Sequence, residues 1–302
     1  MTSHYASANH IKRSRRAFCV SRRSVLLRIG GAFLFLAAPN FRVADSFGAG
    51  RSDDAAINET GRPWYERGAK SSDALDLQFR VDSVSRFIRN ERVAKYSSSS
   101  VFCDDMAFDF VGDNGEIVIY SFRSQKFTLI DPIRRIRTEI DESEIDRFIE
   151  RIKDVLRNKD DGFSVFVTQP SFEISEKENE YFFQSKWIDY RVTTSPIDDE
   201  TVADVYFRFI DAMGKLNVYL NPGVITPLAR MEANRKCMQD SRFPEKVVSE
   251  IYPKGKTIFT KTYQVENESS LSRRISDRDR NRVNRAAHFF EQFPFVSFKS
   301  YV

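Results

Sequence analysis

Hydrophobic and polar residues alternate with a period of two over residues 106–140, MAFDFVGDNGEIVIYSFRSQKFTLIDPIRRIRTEI. This alternation is typical of half-buried β-strands. Asn114-Gly115 adds a strong hairpin signal, because both central residues of a tight hairpin turn need positive φ. Asp131-Pro132 interrupts the pattern, since proline has no N–H to donate to a neighbouring strand. The stretch therefore predicts a meander of short antiparallel strands, with Asp109 at a solvent-facing position.

The segment that follows the meander changes to a helical period. Asp141, with Glu144 three residues on, predicts a helix start closed by a capping box. The helix should end between Asn158 and Gly162. Its apolar positions recur at i, i+3, i+4 and i+7 and form a single stripe that suits packing on a sheet: Ile145, Phe148, Ile149, Ile152, Val155 and Leu156.

Strands and helices alternate in blocks along the rest of the chain. Upstream, Leu75 to Val81 predicts a strand, and Ser97–Ser100 predicts a loop before another strand at 101–103. Downstream, the pattern predicts strands at 163–168, 171–175, 180–194, 247–252 and 257–265. Helices are predicted from Asp198, from Thr226-Pro227, and from Ser276 with Asp279 as its cap.

This order predicts an α+β fold, with a largely antiparallel curved sheet of about eight to ten strands covered by three to four helices. Hydrophobic residues make up 41% of the chain and aromatic residues 13%, which is enough apolar side chain for a sizeable core. We expect one domain over residues 73–302. A subdivision near residue 160 is the alternative, because strands followed by a helix occur twice.

The first 48 residues have the composition of an export signal. A basic stretch precedes an apolar run that is too short for a comfortable membrane span. Ser21-Arg22-Arg23-Ser24-Val25-Leu26-Leu27 resembles the twin-arginine export motif at the serine, at Arg22 and Arg23, and at Leu26. It departs at Val25, where the family prefers Phe, and at Leu27. The resemblance implies export in the folded state to the periplasm or another extracytoplasmic space.

Cleavage after this signal has several alternatives, at 36–38, at 46–48 or at 48–50, and an uncleaved anchor is a fourth. Residues 49–72 are rich in Gly, Ser and charge without apolar periodicity, and we interpret them as a flexible linker. The formal net charge of +4 is carried by the first 48 residues, so the remainder is slightly acidic. A nucleic-acid partner, which requires a dense basic surface, is therefore not expected.

The sequence contains few residue patterns that would indicate a catalytic or metal-binding site. His288 is the one histidine beyond the leader, which argues against histidine-based catalysis and zinc sites. Cys103 and Cys237 could pair after export, or could be two buried thiols. Asp104, Asp105, Asp109 and Asp113 form an acidic group that could bind calcium through carboxylate oxygens. Their spacing fits no calcium-loop pattern, and turn and strand positions explain them more simply. We predict no cofactor, no metal and no catalytic residue.

One basic group stands out near the C-terminus, and it consists of Arg273, Arg274, Arg278, Arg280, Arg282 and Arg285. Interleaved Asp277 and Asp279 favour a solvated helix face. The alternative is a surface for anionic lipid headgroups or cell-wall polymers.

The meander closed by its helix resembles the half-open barrel of the LolA/LolB-type lipoprotein carriers. The resemblance is confined to this region, and it implies an apolar ligand bound beneath the helix at 141–157. Our leading hypothesis is thus an exported, non-enzymatic protein that binds an apolar ligand or a protein partner in the cell envelope, with membrane contact only through an uncleaved leader. The alternatives are a carboxylate-based periplasmic hydrolase and a structural envelope protein without a small-molecule site.

Overall fold

The computed structural model describes residues 77–89, 92–112, 115–159, 161–221, 227–252, 254–256 and 263–302. The predicted leader and linker lie outside these residues. In chain order the described strands are β1 (Gln78–Arg89), β2 (Arg92–Cys103), β3 (Met106–Val111), β4 (Ile117–Ser121), β5 (Lys126–Asp131), β6 (Ile136–Asp141), β7 (Glu173–Lys177), β8 (Glu180–Gln184), β9 (Ile188–Pro196), β10 (Arg242–Ile251) and β11 (Tyr263–Ser272).

Six helices complete the described part of the chain: α1 (Glu142–Arg157), α2 (Gly162–Thr168), α3 (Glu200–Leu220), α4 (Leu228–Gln239), α5 (Asp277–Gln292) and α6 (Phe298–Tyr301). None of the helices within these residues combines the length and hydropathy that a membrane span requires.

All eleven strands belong to one antiparallel sheet, in the order β6-β5-β4-β3-β2-β1-β11-β10-β9-β8-β7. The sheet thus consists of two meanders joined where β1 pairs with β11, from Arg80 opposite Ser272 to Ile88 opposite Gln264. The predicted α+β class and antiparallel sheet are confirmed. The predicted count of strands was too low, in part because residues 180–194 form two strands rather than one.

Side chains from the meander alternate between two hydrophobic clusters, one on each face of the sheet. We call the face covered by α1–α4 the inner face, where Phe102, Val118, Tyr120 and Leu129 meet buried residues of those helices. The opposite, outer face buries the following residues against α5: Val101, Phe108, Phe110, Ile117, Ile119 and Ile130. Helices therefore cover both faces of this half of the sheet.

Helix α1 is held on the inner face by polar contacts as well as by Ile145 and Ile149. Tyr120 of β4 donates to the Glu142 carboxylate at 2.5 Å, and Lys215 of α3 reaches the same residue at 3.1 Å. Asp141 occupies the N-cap position, but its side chain accepts no capping hydrogen bond, so the predicted capping box is absent. The acidic first turn still suits the helix N-terminus.

Two predicted elements differ from the structure. Ser97–Ser100 is not a loop: these serines belong to β2, which pairs with β1 on one side and β3 on the other. Residues 163–168 form helix α2 rather than a strand, because Asp161 caps the turn by accepting from the Ser164 N–H at 2.9 Å. A short apolar run cannot be assigned to strand or helix by periodicity alone.

The C-terminal segment passes from the outer face to the inner face around edge strand β6. The Arg137 N–H donates to the Pro294 carbonyl at 3.1 Å, and the Val296 N–H donates to the Arg137 carbonyl at 2.8 Å. Beyond this crossing Tyr301 is buried, and its hydroxyl donates to Glu116 at 3.0 Å. The predicted extended tail therefore contains one helical turn and is docked on the sheet.

Candidate functional site

A cavity of about 30 Å³ lies between the inner face of the sheet and helices α3 and α4. On the sheet side its lining is mostly polar, and consists of Val81, Ser83, Ser100, Asp109, Asn267 and Ser269. On the helix side its lining consists of Tyr206, Phe209, Ile210, Met213, Arg230 and Asn234. The sheet and α4 thus supply polar groups to the cavity, whereas α3 supplies mostly apolar side chains.

The polar wall follows from strand geometry. Alternate residues of a strand point to the same face, so Ser83 follows the core residues Phe79 and Val81 inward. Ser83 and Ser269 face each other across the β1–β11 pair, with their hydroxyl oxygens 3.0 Å apart. The Asn267 amide donates to the Ser269 hydroxyl at 2.9 Å.

Asp109 is the carboxylate of this wall and is 1% exposed. It lies opposite Ser100 in the β2–β3 pair, and the Ser100 hydroxyl donates to Asp109 Oδ1 at 2.7 Å. Its second oxygen, Oδ2, is buried without a hydrogen-bond partner. Burial raises the pKa of Asp109, against the opposing hydrogen bond from Ser100.

Helix α4 contributes Arg230 and Asn234, which lie four residues apart and hence on one face of the helix. The Asn234 amide donates to Asp211 Oδ1 of α3 at 2.7 Å. Burial raises the pKa of Asp211 to about 6, and the hydrogen bond from Asn234 and the Arg230 charge lower it. Arg230 is 7% exposed, and its Nη1 is buried without a hydrogen-bond partner.

Asp109 and Arg230 both line this small cavity, and each has one buried polar atom without a hydrogen-bond partner, Oδ2 and Nη1 respectively. A buried polar atom without a partner costs about 1–3 kcal/mol, more when it is charged. A space of this size admits roughly two water-sized groups. The cavity can therefore take the polar end of a small molecule, while Phe209, Ile210 and Met213 offer apolar contact beside it.

The structure corrects two expectations about this region. Asp109 is not solvent-facing: it points inward because Phe108 and Phe110 take the opposite face of β3. The cavity described above lies beneath α3 and α4 rather than beneath α1, whose Ile145 and Ile149 are buried against the core.

The acidic residues near Asp109 that the structure describes are not gathered into a metal-binding group. Asp105 faces Arg123 at 3.4 Å, Asp104 occupies the positive-φ turn between β2 and β3, and Asp113 lies outside the described residues. Within the described ranges no group of three or more His, Cys, Asp or Glu residues could hold a metal ion.

Cys103 and Cys237 are free thiols on opposite faces of the sheet. Cys103 packs against the outer cluster, whereas Cys237 of α4 is buried in the inner cluster. Burial raises the pKa of both thiols to about 11, so neither is a reactive thiolate. The structure does not show the disulfide alternative. His288 is exposed on α5, and Arg22 and Arg23 lie outside the described residues.

The basic group near the C-terminus is partly neutralised in the fold. Arg273 forms an ion pair with Asp199 at 2.8 Å, and Arg282 lies over the Phe110 ring at 4.1 Å. Asp279 pairs with Arg80 of β1 at 2.9 Å while it also caps α5. These contacts tie α5 and the segment before it to the rest of the domain.

The residues that line the cavity were not predicted from the sequence. One signal was present: Ser83, Ser100 and Asn267 occupy strand positions in phase with inward apolar residues, where another apolar residue is expected. On α4, Arg230 and Asn234 flank Ala233 on a face that also carries Ala229. The small residues permit close packing, which buries their polar neighbours.

The fold and the cavity define a sheet-dominated α+β protein with a buried polar pocket under helices. No protein-family model matches the sequence, and no curated protein matches it. Among solved structures, the chain is similar to PNGF-II, with 8% identity and a TM-score of 0.30, over 74% of this chain and 32% of that one. The chain therefore spans about a third of that protein's length.

A second solved structure with some likeness is a LolA superfamily protein, NE2245 from Nitrosomonas europaea. It has 8% identity and a TM-score of 0.24, over 68% of this chain and 89% of that one. At these TM-scores neither likeness supports an argument about the function of this chain.

Proposed function

We propose that this chain is an exported binding protein of the cell envelope, without catalytic activity, that holds an apolar ligand between the sheet and helices α3 and α4. The observation that carries the proposal is the cavity itself, in which apolar side chains of α3 adjoin buried polar atoms that lack partners. Binding sites for small molecules combine an apolar lining with a few polar groups in this way.

The proposed ligand extends beyond the cavity of about 30 Å³. Its body displaces side chains of α3, of which Met213 is unbranched and adapts readily to a new neighbour. Paired-carboxylate hydrolysis requires two carboxyl groups that flank the substrate. The cavity lining contains one, Asp109, because Asp211 is bound to Asn234 outside it. Binding is therefore the better-supported activity.

Fluorescence enhancement of N-phenyl-1-naphthylamine, an apolar probe, tests the proposal. We expect the wild-type protein to bind the probe, and Ile210→Trp to abolish binding, because the larger side chain fills the cavity. Ile210 is half-buried, so the variant should melt close to wild type. Val155→Trp on α1, where Val155 is 55% exposed, is the matched control and should bind normally.

A wild-type protein that does not enhance the probe's fluorescence would contradict the proposal. Equal binding by wild type and Ile210→Trp would place the ligand elsewhere on the protein and would contradict it as well.

Export is tested separately, by cell fractionation. Replacing Arg22 and Arg23 with Lys should leave the protein in the cytoplasm, because twin-arginine signals depend on the paired guanidinium groups. Arg13→Lys, at a basic residue that is not part of an arginine pair, offers a control. Normal export of the double variant would refute the assignment, and loss of export in the control alone would move the signal upstream.

A further inference from the structure

The guanidinium of Arg230 is the least expected group on the inner face. It is 7% exposed and, among the described residues, forms no ion pair with a carboxylate. Removing a charge from water costs several kcal/mol when no partner compensates it. Buried charges in native proteins are accordingly paired or bind ligands.

The position of Arg230 in its helix adds to this cost. Arg230 is the third residue of α4, which begins at Leu228. The N-terminus of a helix carries partial positive charge, so a cation there is unfavourable and an anion favourable. The Arg230 side chain and the helix N-terminus therefore each favour an anion near the start of α4.

The neighbouring carboxyl groups leave Arg230 Nη1 without a hydrogen-bond partner, although Asp211 interacts electrostatically with Arg230. Asp211 is held by Asn234 at 2.7 Å, and burial raises its pKa to about 6. Asp109 accepts from the Ser100 hydroxyl on Oδ1, and its Oδ2 has no hydrogen-bond partner. Because burial raises the pKa of Asp109, this group tends toward its neutral form, in which Oδ2 would carry a proton to donate.

The volume of the cavity and its apolar lining indicate which kind of anion fits. About 30 Å³ suits the two oxygens of a carboxylate. Next to the polar wall, Phe209, Ile210 and Met213 provide an apolar surface for the group attached to it. Arginine binds carboxylates through two parallel N–H donors, which makes it well suited to this role.

We infer that the cavity between the sheet and α4 is the head-group pocket of an apolar carboxylic acid, with Arg230 as its anion-binding residue. The inference rests on the proposed function, and it adds that the ligand is acidic and that its carboxylate lies at Arg230.

Calorimetric titration with three ligands of equal chain length tests this: decanoate, decanol and decylamine. The wild-type protein should bind decanoate at least about tenfold more tightly than decanol, because charge-assisted hydrogen bonds are the strong ones. Arg230→Met should lose that preference and keep its affinity for decanol. Arg230→Lys should retain a weaker preference, since lysine keeps the charge without the two-donor geometry.

Arg235→Gln is the matched control on the same helix. The Arg235 side chain is 56% exposed and pairs with Glu232 at 2.8 Å, so its loss should change none of the three affinities. Thermal melting without ligand separates binding from folding. Arg230→Met should melt near the wild-type temperature, because it removes a buried polar group whose Nη1 lacks a hydrogen-bond partner.

Equal affinity of the wild type for decanoate and decanol would overturn the inference and leave the proposed function intact. Preference for decylamine would also overturn it, because the charged partner would then be Asp109. Binding of none of the three ligands would contradict the proposed function together with the inference. A large loss of stability in Arg230→Met would show that Arg230 has a structural role, and this too would overturn the inference.

Discussion

Strand β3 contributes to both faces of the sheet, and neighbouring residues meet opposite environments. On the outer face Phe108 and Phe110 stack with ring centroids 6.5 Å apart beneath α5. On the inner face Asp109, between them in sequence, lies at the edge of a cavity with one oxygen unpaired. Both faces are buried, so burial alone does not distinguish them.

The difference lies in what each face contributes. The outer cluster stabilises the fold by removing apolar surface from water. The cavity on the inner face holds polar atoms whose hydrogen bonds are incomplete, which lowers stability. Sites that bind ligands commonly carry such a cost, because groups that await a partner cannot also be satisfied within the protein. The two faces should therefore respond to substitution in opposite ways.

The largest effect is expected from Phe108→Ala on the outer face. Phe108 is 2% exposed, and truncating a buried phenylalanine costs about 3–5 kcal/mol through lost burial and the cavity left behind. Chemical denaturation should show the corresponding fall in the free energy of unfolding. Ile133→Ala, at a residue that is 82% exposed, is the control and should change it by less than about 0.5 kcal/mol.

The second largest effect on the free energy of unfolding is expected from Glu116→Gln. Glu116 accepts from Tyr301, where the C-terminal segment docks on the inner side of the sheet. Burial raises the pKa of Glu116 to about 7, so the folded state favours the protonated form. The wild type should therefore lose stability as the pH rises from about 4.5 to above 7. At about 1.4 kcal/mol per pH unit, the loss amounts to roughly 3 kcal/mol.

Glutamine stays neutral and still accepts from the Tyr301 hydroxyl. The variant should match the wild type at pH 5 and exceed it above pH 7, as measured by denaturation at a series of pH values. Glu291→Gln, at an exposed site of α5, should follow the wild-type curve. If Glu116→Gln is less stable than the wild type at pH 8, the pKa of Glu116 is not raised by burial and the prediction is wrong.

A smaller effect distinguishes the helices on the two faces. Ser276 caps α5 on the outer side by accepting from the Asp279 N–H at 3.2 Å, with the reciprocal bond completing a capping box. Ser276→Ala should cost about 1 kcal/mol in unfolding free energy. Asp141→Ala at the start of α1 should cost no more than a few tenths, because Asp141 makes no side-chain capping bond. Equal losses would refute this distinction.

The smallest change at acidic pH is expected from Asp109→Asn, the inner counterpart of Phe108→Ala. The amide has the shape of the neutral carboxyl group, so unfolding free energy at pH 5 should stay within about 1 kcal/mol of wild type. Because burial raises the pKa of Asp109, its ionisation destabilises the folded wild type as the pH rises. The free energy of unfolding of Asp109→Asn should therefore increase relative to that of the wild type at higher pH. The opposite trend would mean that Asp109 is charged and paired.

Local pattern was sufficient for those elements whose signals lie within a few residues. Strands β3, β4 and β5 follow from their period of two, and helix α1 from its apolar stripe. Asp199 and Ser276 cap α3 and α5 through neighbouring backbone N–H groups, as acidic and hydroxyl residues do at helix starts. The capping box at Asp141 was wrong, because residue types permit such a bond without enforcing its geometry.

Contacts between distant segments decided the rest. Ser97–Ser100 forms a strand because β1 and β3 pair with it on both sides, and serine alone does not favour that state. Alternation separates the two sides of β3 but does not assign either to solvent or core. The helices that cover them, α5 and α3, begin about ninety residues or more further along the chain.

By itself, the sequence determined the α+β class, most strands of the meander and the principal helices, since hydrophobic periodicity and capping act over a few residues. Only the tertiary structure decided that Asp109 and Arg230 line one cavity. Their approach depends on the pairing of β1 with β11 and on the packing of α4 over the sheet, and neither leaves a local signal in the chain.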